Sequence, residues 1–178
     1  MPRWKTLSED VRSRVQQATL IRVVDDDDAL REALIFVLKM EGWEVAAYAS
    51  GGDFLRSDTP SKPGCVVLDV QMPGMTGVEV QQVMNERGIN LPIVFLTGHG
   101  DIDMAVMTMQ DGAADFIQKP LDNERLLRSI ETAAYRSASQ TVGILDAEDA
   151  RERLAVLTDR ESDIAWLLAQ SLTNRQIG

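Results

Sequence analysis

Cys65-Val66-Val67-Leu68-Asp69-Val70-Gln71-Met72-Pro73-Gly74 is the stretch whose reading decides the fold. Its four leading apolar residues, closed off by a turn, read as a short buried strand. Gln71-Met72-Pro73-Gly74 has the proline and glycine of a tight turn. Asp69 is left at the strand tip. A carboxylate in that position either caps a neighbouring segment or reacts with something.

Outward from it the same alternation repeats. Leu20 to Val24 reads as a strand, closed by the four acids Asp25 to Asp28. Ala29 to Glu41 reads as a helix, with Leu30, Leu34, Val37 and Leu38 on one side and Gly42 ending it. Glu44 to Ala49 is a strand and Ser50 to Ser57 a short helix. After a loop with two prolines and the Cys65 strand comes a helix near Gly77 to Glu86. Pro92 to Leu96 is the fourth strand, closed by Thr97, and Ile102 to Gln110 its helix. Asp115 to Gln118 is the fifth strand, closed by Lys119 and Pro120, and Asn123 to Tyr135 its helix. Five strand–helix pairs in strict alternation imply an α/β fold, a parallel sheet with helices on both faces.

The remaining segments read differently. Residues 1–19 form an N-terminal extension. Thr6 and Glu9 match a capping box, and Leu7, Val11 and Val15 fall on one helical face; a frayed tail is the other reading. Residues 20–136 form the main domain. Residues 137–156 read as a linker, small and polar and then acidic, running into a helix near Asp149 to Val156. Residues 157–178 carry two capping patterns, Thr158 with Glu161 and Thr173 with Gln176, around an apolar stripe of Ile164, Leu167 and Leu168. One and a half helices cannot bury a core, so this piece is expected to be the incomplete start of an all-α domain.

Composition narrows the function classes. The chain has 178 residues, a net charge of −10 and 44% apolar residues. That charge argues against a chain that mainly binds nucleic acid. The single cysteine, Cys65, sits inside an apolar run, so no internal disulfide can form and a reducing, cytoplasmic location is expected. No stretch approaches a membrane span, and residues 1–19 lack the apolar centre of a signal peptide.

In open parallel sheets, ligands bind beyond the carboxyl ends of the strands, where the winding reverses. With a flavodoxin-like order 2-1-3-4-5 that point lies between strands one and three. Asp25 and Asp26 end the first strand and Asp69 ends the third. Three carboxylates so close repel one another unless a cation neutralises them. Mg²⁺ suits such a site, because it takes one or two carboxylates, keeps waters and completes its shell with a phosphate oxygen. Lys119 can balance a phosphoryl oxygen and the Thr97 hydroxyl can donate to another. Asp69 would then be a nucleophile forming an acyl phosphate.

Val24-Asp25-Asp26, Leu68-Asp69 with Met72-Pro73-Gly74, Leu96-Thr97-Gly98 and Lys119-Pro120 together resemble the receiver domain of two-component response regulators. The separations are 44 residues from Asp25 to Asp69, 28 from Asp69 to Thr97 and 22 from Thr97 to Lys119. Any one motif is weak; all four in order are specific. The resemblance covers residues 20–136 and implies the strand order 2-1-3-4-5. It implies that Asp69 accepts a phosphoryl group from a sensor histidine kinase. It implies that Asp26 and Asp69 ligate Mg²⁺ (or Mn²⁺), that Asp25 assists through water, and that Gln71 contributes its backbone carbonyl. It also implies that Thr97 and Lys119 contact the phosphoryl oxygens, that Thr97 and Phe116 act as a switch pair, and that the bond to Pro120 is cis.

Leu157-Thr158-Asp159-Arg160-Glu161 and Leu172-Thr173-Asn174-Arg175-Gln176-Ile177 resemble the start of a LuxR-type helix-turn-helix domain. Gly98-His99-Gly100 resembles the nitrogen-fixation-type branch of these regulators. The resemblance implies DNA as a partner of the complete output domain and a phosphorylation-dependent homodimer. No DNA-binding residue can be assigned, since the recognition helix does not fall within residues 157–178. Residues 151–178 hold four arginines and four acids, without a basic footprint.

Each residue also has a plainer reading. A strand-end aspartate is usually a cap or turn former, and Asp28 is expected to be the N-cap of its helix. Thr97 alone reads as a strand-end hydroxyl, Lys119 as a surface lysine, Phe116 as core and His99 as a loop residue. Met104, Met107 and Met109 cannot share one face, so some are expected in the core. Two other functions compete with a transcriptional switch. One is a receiver acting only through protein contacts, as an adaptor or in a phosphorelay. The other is a phosphatase of the haloacid-dehalogenase type, which needs a second acid two residues after the nucleophile, where this chain has Gln71.

Overall fold

The computed structural model describes residues 8–98 and 102–142. The segments read as a helix near Asp149 to Val156 and as the start of a helix-turn-helix at 157–178, together with Thr6, Leu7 and His99, lie outside the described residues.

The elements run α1 (Glu9–Ala18), β1 (Leu20–Val24), α2 (Asp28–Met40), β2 (Glu44–Tyr48), α3 (Gly51–Ser57), β3 (Gly64–Asp69), α4 (Gly77–Glu86), β4 (Ile93–Thr97), α5 (Ile102–Gln110), β5 (Asp115–Gln118) and α6 (Asn123–Val142). The five strands form one parallel sheet in the order β2-β1-β3-β4-β5, as expected. β3 lies at its centre and is buried along its whole length. Alternate residues of a strand point to opposite faces. Val66 and Leu68 join Ile93 and Phe95 of β4, Phe54 of α3, and Val80 and Met84 of α4 in one buried cluster. Cys65, Val67, Val94 and Leu96 are equally buried, and Leu34 and Leu38 of α2 and Leu126 and Ile130 of α6 supply the buried helix faces that accompany them. Burial holds the Cys65 thiol up at about 12, consistent with a packing residue.

One local reading is settled between its two alternatives and two change. Ser8 caps α1, accepting from the Val11 N–H at 3.4 Å, and Val11 and Val15 are buried. Residues 9–18 are therefore an ordered helix, the first of the two expected readings. Asp27, not Asp28, caps α2. It keeps extended backbone angles (φ −76°, ψ 105°) and accepts from the Ala29 and Leu30 N–H groups. Asp28 is already helical, so its carboxylate cannot reach back to those donors. Finally, α6 continues seven residues past the expected end at Tyr135, into the stretch read as linker. Ser137 and Ala138 look like linker residues, but both are buried. The Ser137 hydroxyl accepts from the Gly64 N–H, 3.0 Å away at the start of β3. Small residues allow that close approach.

One buried group was not singled out from the sequence. Arg22, inside β1, is fully buried. Its Nε meets Asp58 Oδ2 at 2.7 Å, and its Nη2 donates to the Thr59 and Lys62 carbonyls at 2.9 and 3.0 Å. The Tyr48 hydroxyl donates to the other oxygen of Asp58 at 2.8 Å. A buried charge needs such a full set of partners. Here they tie the loop between α3 and β3 to strands β1 and β2. Burial, together with the bond to Asp58, raises the Tyr48 hydroxyl to about 12.

Candidate functional site

β1 and β3 are adjacent and in register, with Val24 beside Leu68, so the residues that follow them, Asp25 and Asp69, emerge side by side. Asp25 is completely buried and Asp69 nearly so, while Asp26 is exposed. One carboxylate oxygen from each of the three lies within 4.8 Å of the others. The sequence-predicted acids are thus brought together. Asp27 and Asp28 are excluded, one by capping α2 and the other by pairing with Arg31.

Lys119 follows β5, which β4 separates from β3. The register of β4 with β5, Thr97 beside Gln118, sets where it emerges, and its N–H donates to the Thr97 carbonyl at 2.7 Å. The Lys119–Pro120 bond is cis, as the resemblance implied. The Lys119 ammonium lies 3.1 Å from Asp25 Oδ2 and 3.3 Å from Asp69 Oδ2. Thr97 is buried at the tip of β4. Phe116 lies beside Phe95 in the β4–β5 register, partly buried against the core cluster, with ring centroids 6.3 Å apart. Gln71 is exposed beyond β3, and its N–H points at Asp69 Oδ1 from 3.4 Å.

Two glycines place Asp69. Gly74 has φ +80° after Pro73, a turn geometry that other residues adopt only with strain. Gly77, the first residue of α4, sits where a Cβ would stand 2.3 Å from the Asp69 carbonyl oxygen. Its N–H donates to the Val70 carbonyl at 2.9 Å, so the helix starts directly against the strand end. Thr76 and Glu79 complete a capping box there.

The electrostatics follow from this packing. Burial pushes the Asp69 carboxyl above the ordinary aspartate range; Lys119 pulls it back and Asp25 adds to the rise. Burial alone would lower the Lys119 ammonium, but its bonds to Asp25 and Asp69 outweigh that and leave it raised. Three carboxylates against one ammonium leave two negative charges. Hard oxygen donors with that residual charge fit a divalent, oxygen-loving cation.

Arg31 and Gly77 were missed in the sequence. Arg31 had a legible signal, since it stands three residues after Asp28 on one helix. Gly77 had only its position at a helix start.

The model of a family described as response regulator receiver domain matches residues 21–131. The transcriptional regulatory protein FixJ of Azorhizobium caulinodans is 39% identical over 161 residues, covering 88% of this chain and 74% of that protein. The response regulator protein TodT of Pseudomonas putida is 35% identical over 166 residues, covering 93% and 73%. Among solved structures, the response regulator StyR aligns with a TM-score of 0.67 at 38% identity, covering 90% of this chain and 81% of that one. The structure named FixJ-N aligns with a TM-score of 0.61, also at 38% identity, covering 66% and 94%.

Proposed function

Because the chain belongs to the response regulator receiver domain family, a class of two-component, phosphorylation-dependent regulators, we propose that Asp69 is its phosphoacceptor and that the acyl phosphate is read out rather than turned over. The observation that carries this reading is the convergence of Asp25, Asp26, Asp69 and Lys119 at one sheet edge.

In the reaction, an Asp69 carboxylate oxygen attacks the phosphorus of a phosphohistidine on a sensor kinase. The new O–P bond forms as the N–P bond breaks, and the electron pair leaves with the imidazole nitrogen. Lys119 already stands 3.3 Å from an Asp69 oxygen, placed to neutralise the incoming phosphoryl charge. The Thr97 hydroxyl donates to a second phosphoryl oxygen. Asp26, Asp69 and the Gln71 carbonyl are the ligands we assign to Mg²⁺, with Asp25 assisting through water (Mn²⁺ satisfies the same donors). Such an ion would screen the approach of two anions and stabilise charge on the equatorial oxygens.

Readout is assigned to β4, β5 and α5. Thr97 moving toward the phosphoryl group leaves space for Phe116, which already packs beside Phe95. Val106, Met107 and Met109 of α5 are large apolar side chains left exposed on this side. They support a phosphorylation-dependent homodimer. The two relatives named above, a transcriptional regulatory protein and a response regulator, support DNA as the final partner through an output domain. No described helix is long and apolar enough to cross a membrane, and a cytoplasmic location remains part of this proposal.

One experiment covers both steps. The chain is incubated with acetyl phosphate and Mg²⁺, and its intact mass and light-scattering mass are measured. A single phosphoryl adduct on the wild type, absent from Asp69→Asn and accompanied by a shift toward dimer, is the expected result. An equal adduct on Asp69→Asn removes the assignment of Asp69. An adduct with no change in association removes the dimer.

A further inference from the structure

Four consecutive acids follow β1, yet only two of them face the carboxylate cluster. Their separation needs a cause, because like charges on adjacent residues repel and a short loop has several ways to splay them. Asp25 is fixed by two groups: the Asp27 N–H donates to its Oδ1 at 2.9 Å, and Lys119 holds its Oδ2. Asp27 is spent on the α2 cap. The remaining hold comes from Arg31, on the first turn of α2. Its Nη1 donates to the backbone carbonyl of Asp25 at 2.7 Å, and its Nη2 pairs with the Asp28 carboxylate. The Arg31 side chain is 16% exposed, while that of Asp28 is 81% exposed. The guanidinium is therefore packed in, and Asp28 comes to it from outside.

We propose that Arg31 is a positioning residue for the metal site: one guanidinium locks the Asp25 carbonyl while drawing Asp28 away, so that Asp25 and Asp26 alone turn toward Asp69. This rests on the reading of the acid cluster as a Mg²⁺ site. Arginine is suited to the task because its planar fork presents two separate donors at fixed angles, which a lysine ammonium does not. Partners that orient a metal's ligands without touching the metal commonly matter to affinity by about 10- to 100-fold.

The sign of the effect separates positioning from charge. Arg31 is a cation close to a cation site. If its field were all that mattered, removing it would tighten Mg²⁺ binding, since like charges repel. If it positions the loop, removing it loosens binding. Arg31→Gln removes charge and fork together; Arg31→Lys keeps the charge and loses the fork, and it guards against a glutamine variant that does not fold.

The test is calorimetric titration of the wild type and both variants with Mg²⁺ alone, alongside thermal unfolding without metal. The expected result is a Kd about tenfold higher or more for Arg31→Gln, and a rise in the same direction for Arg31→Lys. A Kd that is unchanged or lower in a folded variant overturns the inference, as does a lower Tm with an unchanged Kd, which would make Arg31 a structural brace only. A wild type that takes up no Mg²⁺ overturns the metal-site reading beneath it. Wild-type binding with unaffected variants overturns the positioning role alone.

Discussion

At the scale of single residues, Asp69 is held in a state it resists. Burial and Asp25 favour its protonated form, and Lys119 only partly compensates. Its folded-state pKa is therefore above its unfolded value of about 3.9. Between those two values the folded protein binds more protons than the unfolded chain, so stability falls as pH rises through that window. Above it the penalty is fully present. Asp69→Asn removes the penalty while keeping the shape. Without metal, the asparagine variant is expected to melt higher than the wild type at neutral pH, and the gap is expected to close as pH falls below the window. Mg²⁺ should then favour the wild type, because a ligand that binds only the folded state stabilises it by mass action. Thermal melts across pH, with and without Mg²⁺, read both effects. A metal-free asparagine variant that melts lower at neutral pH would contradict the electrostatic account. The same tension makes functional sense: a carboxylate poorly neutralised at rest gains most from a cation and from the chemistry the cation permits.

At the scale of elements, the junction of β3 with α4 positions Asp69. The helix begins so close to the strand that a methyl group at residue 77 would meet the Asp69 carbonyl at 2.3 Å. The obstacle is backbone at the centre of the sheet and cannot swing aside. Gly77→Ala is expected to cost about 1–3 kcal/mol, the usual range for overpacking, and to slow phosphorylation by displacing Asp69. Urea unfolding checks the first and acetyl phosphate kinetics the second. Wild-type stability in this variant would mean that α4 is free to shift, and the account of the junction would fail. Helix ends elsewhere show the same dependence on small groups. In α6 the Ser137 hydroxyl ties the helix to the Gly64 N–H, and α2 starts at Asp28 because the Asp27 side chain meets the first free N–H groups.

At the scale of the whole molecule, the legible and illegible parts divide by physical range. The alternating strands and helices were readable because apolar periodicity is a local signal, and the strands appear within a residue or two of their expected bounds. The strand order came from resemblance and is the observed one. The convergence of Asp25, Asp26, Asp69 and Lys119 follows from that order, since neighbouring parallel strands deliver their last residues to one edge. Distant contacts away from that edge were not readable. Arg22 lies 36 residues from Asp58, and nothing in Leu-Ile-Arg-Val-Val announces a buried ion pair. Ser137 lies 73 residues from Gly64, and a run of small polar residues looks the same whether it packs or drifts. The expected cap, Asp28, was also wrong by one residue, because each of four adjacent aspartates could supply the same oxygen until the backbone fixed where the helix begins.

The proposed function makes one aspartyl phosphate, at residue 69. Its most direct test is reductive trapping: the chain is phosphorylated with acetyl phosphate and Mg²⁺, reduced with borohydride, digested and mapped by mass spectrometry. Borohydride converts an acyl phosphate on aspartate into homoserine, which marks the site in the sequence. The account predicts homoserine at position 69 and at no other acid. Homoserine at Asp25, Asp26 or elsewhere, or none at all in a chain shown to take up phosphate, would contradict it.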